Sequence, residues 1–215
     1  IYSLLSSIVS VIVFNFLFTE PRYTLLAYDS GYPVTFVVMF IAAFITASLA
    51  VKLKSHARIS AQAAYRTKVL FDTNQLLQRA EDNDEIIAVT AGQLVKLLNT
   101  DIIVYPAADG KLGEPHIFTI DGEAPDADYT SDNEKAVAGW VLKNNKHAGA
   151  TTDTLSSAKC LYLSIRVNHN VYGVAGIVIK EGPPDAFESS IMLSILGESA
   201  LAMENEKNYK EKEET

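Results

Sequence analysis

Cysteine is almost absent from this 215-residue chain, in which Cys160 is the single example. One thiol excludes an intrachain disulfide framework and any zinc or iron–sulfur site built on several cysteines. The four histidines, His56, His116, His147 and His169, show no spacing typical of metal ligands. The sequence therefore predicts no metal site and no cofactor.

Charge is nearly absent from the first quarter of the chain and unevenly distributed over the rest. Residues 1–51 contain three charged side chains, whereas residues 52–68 carry five basic side chains and no acid. Residues 69–200 have a net charge of −10. Because binding to phosphates needs clustered lysine and arginine, this acidic body excludes nucleic acid as a predicted partner.

Two uncharged stretches, residues 1–18 and 33–51, are each long enough for a membrane-spanning helix. A helix of this length reaches roughly 28 Å, close to the hydrocarbon thickness of a bilayer. We predict two transmembrane helices joined by an external turn at 19–32; the alternative is a signal peptide followed by a buried core helix. The positive-inside rule places the basic stretch that follows in the cytoplasm. Since two spans alone would make a thin bundle, we expect further spans upstream or a partner subunit. The chain begins inside an apolar run without Met, so we expect it to be a fragment of a longer protein.

Catalytic signatures are also missing. The sequence contains no G-x-x-x-x-G-K-[ST], no G-x-G-x-x-G and no H-E-x-x-H. We interpret Cys160, near the start of a predicted strand, as a small apolar side chain rather than a nucleophile. The loop acids Asp126, Asp128 and Asp132 are interpreted as solvated side chains rather than a metal site. We predict no catalytic residue in this segment.

The region after the basic stretch predicts an α+β domain, in which an antiparallel sheet is flanked by helices. Asp82 or Asn83 is expected to cap one helix, and Ser131 with Glu134 is expected to form a capping box. Asn168 to Asn170 is a tight connection between two strands, which predicts a hairpin. The predicted elements are helices near 59–80 and 84–98, strands at 101–107 and 116–121, a helix from Ser131, strands at 159–167 and 171–179, and a last helix from about 185.

The best candidate for a binding site is the 13-residue loop at 146–158. Loops of this length in a compact domain are often functional, because they can close over a ligand. Thr151, Thr152, Asp153 and Thr154 offer hydroxyls and one carboxylate to a small polar ligand. The alternative is an ordinary ordered loop.

The last helix carries Leu193, Leu196, Ala200 and Met203 at alternating three- and four-residue steps. That is the spacing of a seam between two helices. We predict that this row packs across a dimer axis and continues into a downstream helix. The alternative is that the row covers the sheet of its own domain.

Several segments resemble the Kdp potassium-sensor histidine kinases. FNFLFTEPRYTL (14–25) and DSGYPVTFVVMFIAAFITASLAVKLK (29–54) look like the end of the membrane domain of that family. AVAGWVLKNNKHAGATTDTL (136–155) and LYLSIRV (161–167) look like the GAF-like sensory domain that follows it. The resemblance covers nearly the whole chain.

The resemblance implies an inner-membrane, multi-pass protein with a four-helix membrane domain, of which this chain holds the last two helices. It also implies a cytoplasmic GAF-like domain, a homodimer, membrane lipid as a partner, and a kinase core and response regulator beyond this segment. The N-K-x-F-D-E motif of GAF domains that bind cyclic nucleotides and the Cys-His pair of chromophore-binding GAF domains are both missing. A structural or relay role is therefore favoured.

These inferences divide the chain into a membrane hairpin at 1–51, a basic collar and linker helix at 52–80, a GAF-like sensory domain at 81–184 and a signalling helix at 185–215. The predicted function is the sensory and transmission segment of a membrane-bound two-component sensor histidine kinase that responds to potassium or osmotic status. The alternative is a ligand-binding GAF module of another membrane-anchored signalling enzyme, a cyclase or a phosphatase.

Overall fold

The computed structural model describes residues 2–18, 22–23, 32–120, 122, 127–180 and 182–213. The chain divides into two compact units, residues 1–65 and 66–215. The helices are α1 (Tyr2–Phe18), α2 (Tyr32–Leu77), α3 (Asn83–Leu98), α4 (Asp132–Asn144) and α5 (Ala186–Glu213). The strands are β1 (Ile102–Ala108), β2 (Lys111–Leu112), β3 (His116–Phe118), β4 (Ala148–Gly149), β5 (Cys160–Val167) and β6 (Asn170–Val178), and a short 3-10 helix covers Ala127–Thr130.

Both uncharged stretches are helical in the first unit. Helix α1 has 17 residues, and α2 runs for 46 residues without a break through the basic stretch, as predicted. Large apolar side chains along α2, such as Phe40, Ile41 and Phe44, are exposed. Apolar side chains that find no protein partner suit a lipid environment. The predicted external turn lies largely outside the described residues.

Two described helices are long and apolar enough to cross a membrane, Val37–Leu77 and Ala186–Lys212. The second belongs to α5, which buries Ile191, Ile195 and Met203 in the core of the second unit. A helix with one face in a domain core and acids along its length is a core helix, whatever its mean hydropathy.

The second unit is an antiparallel sheet with helices on both faces. The strand order is β2-β1-β6-β5-β4, and β3 pairs with the same edge of β1 as β2 does. The predicted hairpin is present: β5 and β6 pair from Cys160↔Val178 to Val167↔Asn170, and Asn168 in its turn has a positive φ. The predicted fold class, two apolar helices followed by an α+β GAF-like domain, is confirmed.

Alternation along the strands separates two apolar cores. On one face α3 and α5 pack against residues that include Ile102, Val104 and Ile177. On the other face α4 packs against Ile103, Tyr105 and neighbouring side chains. Successive side chains of a strand point to opposite faces, so each strand contributes to both cores.

One predicted helix cap is present and another is wrong. The Asp82 carboxylate accepts the backbone N–H of Glu85 at 2.8 Å and caps α3. Ser131 precedes α4 but its side chain makes no capping hydrogen bond. Its expected partner, Glu134, lies in the interior, because the inward face of the first turn of α4 points at the sheet.

Candidate functional site

The four predicted binding residues lie together in one turn of the 146–158 loop, and two of them point into solvent. Thr151 and Asp153 are exposed, and Thr151 has a positive φ of 65°. The Thr152 hydroxyl lies 2.8 Å from the carbonyl oxygens of Gly149 and Thr154. The same hydroxyl accepts the Thr154 N–H at 3.2 Å. These bonds engage the Thr152 hydroxyl within the turn, so of the four predicted side chains this one is directed at the loop's own backbone.

A buried carboxylate lies at the base of this loop. The side chain of Glu134 on α4 is 2% exposed. It accepts hydrogen bonds from the Lys159 backbone N–H at 2.7 Å, the Cys160 backbone N–H at 3.3 Å and the Tyr162 hydroxyl at 2.9 Å. A buried carboxylate is tolerated only when its oxygens are well hydrogen-bonded. Glu134 therefore fixes the end of the loop and the start of β5 against α4.

Two tyrosines fill the space between the sheet and α4. The ring centroids of Tyr105 and Tyr162 are 6.4 Å apart, and both side chains are fully buried. A Cβ added at Gly176 would lie 2.5 Å from Cε1 of Tyr162, so the absence of a side chain there makes room for the ring. The hydroxyl of Tyr105 has no hydrogen-bond partner among the described residues. The face beneath the loop is thus occupied by the protein's own aromatic side chains.

The titratable groups around Glu134 are held in their neutral forms. Burial, followed by the charge of Glu134, raises the pKa of the Cys160 thiol to about 12. Burial also raises the pKa of Tyr105 to about 12 and that of Tyr162 still further. The nucleophile of a cysteine is its thiolate, which Cys160 does not form near neutral pH. The interpretation of Cys160 as a small apolar side chain agrees with its burial.

Sequence reasoning missed this cluster. Tyr105 and Tyr162 lie two residues after Ile103 and Cys160 and on the same face of the sheet. Alternation along each strand could therefore have indicated that both tyrosines are buried. Nothing local distinguishes a buried Glu134 from a capping glutamate, because its hydrogen-bond partners lie 25 to 28 residues away in the sequence.

The other acids of this region form ion pairs or begin a helix. Asp128 pairs with the Lys159 ammonium at 2.5 Å on the surface, and Asp132 lies in the first turn of α4. Asp126 lies outside the described residues. Among the described residues no three His, Cys, Asp or Glu side chains are grouped as metal ligands.

A groove of about 680 Å³ lies away from the predicted loop, between the turn after β1, the β5–β6 turn and the end of α5. Lys207 and Lys210 line it, and each is paired with a glutamate four residues away on α5, Glu211 or Glu206. The charges of the groove therefore largely cancel.

Two side-chain hydrogen bonds join the end of α2 to α5. Arg66 donates to the Ser194 hydroxyl at 3.2 Å, and further along Asn74 donates to Glu198 at 3.5 Å. The partner positions increase together in both helices, so the helix that enters the domain and the helix that leaves it are parallel.

The predicted seam on α5 needs correction. Leu196, Ala200 and Met203 are buried in the domain's own core, because that face of α5 covers the sheet and α3. Leu193 is 55% exposed, and Leu201, two turns further along the helix, is 47% exposed. The outward large apolar side chains of α5 therefore include Leu193 and Leu201, with Gly197 between them, and Tyr209 further along.

Comparison with known proteins gives matches to both halves of the chain. The sequence family described as a domain of unknown function, DUF4118, matches residues 1–63. Sensor protein KdpD of Clostridium acetobutylicum is 33% identical over 216 residues, which cover 100% of this chain and 24% of that protein. Sensor protein KdpD of Escherichia coli is 25% identical over 181 residues, which cover 84% of this chain and 19% of that protein. The chain thus spans about a quarter or less of the length of these relatives.

Solved structures match about two thirds of the chain. The GAF domain of the potassium sensor histidine kinase KdpD from Escherichia coli has a TM-score of 0.51 and 18% identity, covering 67% of this chain and 96% of that domain. Residues 122 to 287 of a methyl-accepting chemotaxis protein have a TM-score of 0.50 and 13% identity, covering 64% of this chain and 98% of that structure. At these identities the likeness establishes the fold, which is GAF-like. The resemblance predicted from the sequence is confirmed: along its whole length this chain is similar to one segment of the Kdp-type sensor proteins.

Proposed function

We propose that this chain is the sensory and transmission segment of a membrane-bound two-component sensor histidine kinase that responds to potassium or osmotic status. The observation that carries the proposal is the 33% identity to a sensor protein KdpD over the full chain, membrane helices and GAF-like domain together. The Escherichia coli GAF domain with the similar fold belongs to a potassium sensor histidine kinase, which supports the proposed stimulus. The kinase core and the response regulator would act through the longer protein.

The proposed location is the inner membrane, crossed more than once, with the GAF-like domain in the cytoplasm. The five basic residues of the collar follow the apolar part of α2 directly and are joined to it by one unbroken helix. Basic residues next to a span favour the cytoplasmic side, where they also contact anionic lipid headgroups. We also propose that the membrane hairpin ends at residue 51, the basic collar and linker helix at residue 80 and the GAF-like domain at residue 184.

The proposed path of the signal is from α2 into α5. The two helices are parallel and joined by hydrogen bonds between Arg66 and Ser194 and between Asn74 and Glu198. A shift of α2 along its axis would therefore act on α5 directly. The exposed row of Leu193 and Leu201 is the surface we propose for contact with a second copy in a homodimer, because exposed leucines two turns apart on one helix face favour helix pairing.

The test is autophosphorylation of the full-length protein in liposomes, with potassium exchanged for sodium at constant ionic strength and osmolality, and then osmolality varied at constant potassium. We expect output to change with at least one variable. A protein that phosphorylates itself but ignores both would contradict the proposed stimulus. A full-length protein without autophosphorylation would contradict the proposed kinase.

The second candidate, a ligand-binding module of a membrane-anchored cyclase or phosphatase, rests on the 146–158 loop. Its support is weaker, because Thr152 is hydrogen-bonded within the loop and Tyr105 and Tyr162 fill the space beneath. Detection of cyclase or phosphatase activity in the full-length protein would favour this candidate.

A further inference from the structure

The 146–158 loop is held to the rest of the domain mainly by polar contacts. Its inward side chains are small, namely Ala148, Ala150 and Ala158, and each of them buries only one methyl group. Since hydrophobic stabilisation scales with buried apolar area, three alanines anchor the loop weakly. Leu155, the one large apolar residue in the loop, is 43% exposed.

Most hydrogen bonds of the loop are made within the loop itself. The Gly149 N–H donates to the Thr154 carbonyl at 2.8 Å, and Thr152 joins both sides of the same turn. A segment that satisfies its own polar groups can move as one body without leaving them unpaired. It is held to β5 by its short strand pairing and by the Ala150 N–H, which donates to the Cys160 carbonyl at 2.9 Å, and it is held to α4 where the chain re-enters the sheet, at Lys159 and Cys160.

Glu134 forms its hydrogen bonds where the chain re-enters the sheet after the loop. Its carboxylate accepts the backbone N–H groups of Lys159 and Cys160 and, with one of the same oxygens, the Tyr162 hydroxyl. A second tie, from the Lys159 ammonium to Asp128, lies on the surface. Exposed ion pairs contribute little to stability, whereas hydrogen bonds to a buried carboxylate are among the stronger hydrogen bonds in proteins.

We propose that Glu134 is a latch that keeps the 146–158 loop closed over Tyr105, Tyr162 and Cys160, and that release of this carboxylate lets the loop open while the α3–α5 core stays folded. An open loop exposes the face of the sheet that the two tyrosines fill. Access to this face is then controlled by three hydrogen bonds to one side chain.

Cys160 provides a built-in reporter of this opening. It is the only cysteine in the chain and is fully buried, directly beside the latch. The experiment measures the rate at which N-ethylmaleimide labels Cys160 in the complete 215-residue chain in lipid nanodiscs at fixed pH. Glu134→Gln keeps the shape of the side chain but has one acceptor oxygen for three donors. We expect it to raise the labelling rate by about tenfold or more, since buried donors lose their partner.

Asp128→Asn is the matched control, because it neutralises the surface ion-pair partner of Lys159 and leaves the carboxylate of Glu134 in place. We expect less than about a twofold change in the labelling rate from this variant, as for other exposed pairs. Equal labelling rates in the two variants, or an unchanged rate in Glu134→Gln, would overturn the latch.

Amide hydrogen exchange separates local opening from unfolding. In the wild-type chain we expect residues 147–160 to exchange faster than the buried turns of α5 at Ile191 and Ile195. In Glu134→Gln we expect the exchange rate of the loop alone to rise. If loop and α5 exchange together in both proteins, or if Glu134→Gln fails to fold while the wild-type loop exchanges no faster than α5, the loop does not open as a unit and the inference fails.

Discussion

The hydroxyl of Tyr162 on β5 donates a 2.9 Å hydrogen bond to the carboxylate of Glu134 on α4, in the interior between sheet and helix. The nearby hydroxyl of Tyr105 is equally buried and has no partner among the described residues. The two tyrosines thus provide a matched pair of substitutions.

Tyr162→Phe should destabilise the domain, and Tyr105→Phe should not. The first removes a donor from a buried carboxylate, which costs about 1.5–3 kcal/mol. The second removes an unpaired polar group, so the free energy of unfolding should stay constant or rise by about 1 kcal/mol. Urea unfolding of both variants, with the tryptophan fluorescence of Trp140 as the signal, measures the difference. Equal losses of stability in the two variants would show that the hydrogen bond from Tyr162 to Glu134 does not stabilise the domain.

Stability should fall at alkaline pH because of Cys160. Its pKa is raised from 9.0 to about 12 in the folded domain, mainly by burial. The folded state therefore holds the thiol proton more tightly than the unfolded state, and the free energy of unfolding decreases as the pH rises above about 9. By pH 10 the loss from this group is about 1 kcal/mol.

Cys160→Ala removes this titration. In chemical unfolding between pH 8 and 10, the variant should lose about 1 kcal/mol less than the wild-type chain. The two buried tyrosines, whose ordinary pKa lies near 10, add their own losses at higher pH in both proteins. Parallel pH profiles for the two proteins up to pH 10 would mean that Cys160 is not held in its protonated form.

The course of the chain through this domain was largely predictable, and its longer-range contacts were not. Alternating apolar residues around Asn168 and His169 predict the hairpin of β5 and β6 to within one residue, because strand pairing across a tight turn is a local property. Ser131 and Glu134 fit the pattern of a capping box, yet Glu134 accepts hydrogen bonds from residues at the start of β5. A local pattern cannot separate these outcomes, since they differ only in what the fold brings beside the helix.

The row on α5 shows the same limit. Leu196, Ala200 and Met203 have the spacing of a seam between helices, and they cover the sheet of their own domain instead. An apolar row at this spacing can pack either against a second helix or against the sheet of its own domain. The surface left outside, at Leu193 and Leu201, is visible only once the core has been assigned.

The membrane topology can be checked with single cysteines in a Cys160→Ser background. Because the basic residues of 52–68 favour the cytoplasm, a cysteine at Ser55 should be protected from an impermeant thiol reagent on intact cells. A cysteine at Ser30, in the predicted external turn, should be labelled. Labelling at position 55 and protection at position 30 would reverse the proposed orientation.

Helix phase after the last core residue tests the transmission proposal. Met203 is buried and the side chains beyond it are mostly exposed, so an insertion directly after Met203 leaves the domain core intact. One inserted residue rotates everything downstream by about 100°, whereas seven residues restore the phase to within about 20°. In the full-length protein, autophosphorylation should be locked or biased by one residue and remain regulated with seven, because only the first changes which face of the helix meets its partner. Equal outputs from the two insertions would mean that α5 is a passive tether, since a tether depends on length and not on phase.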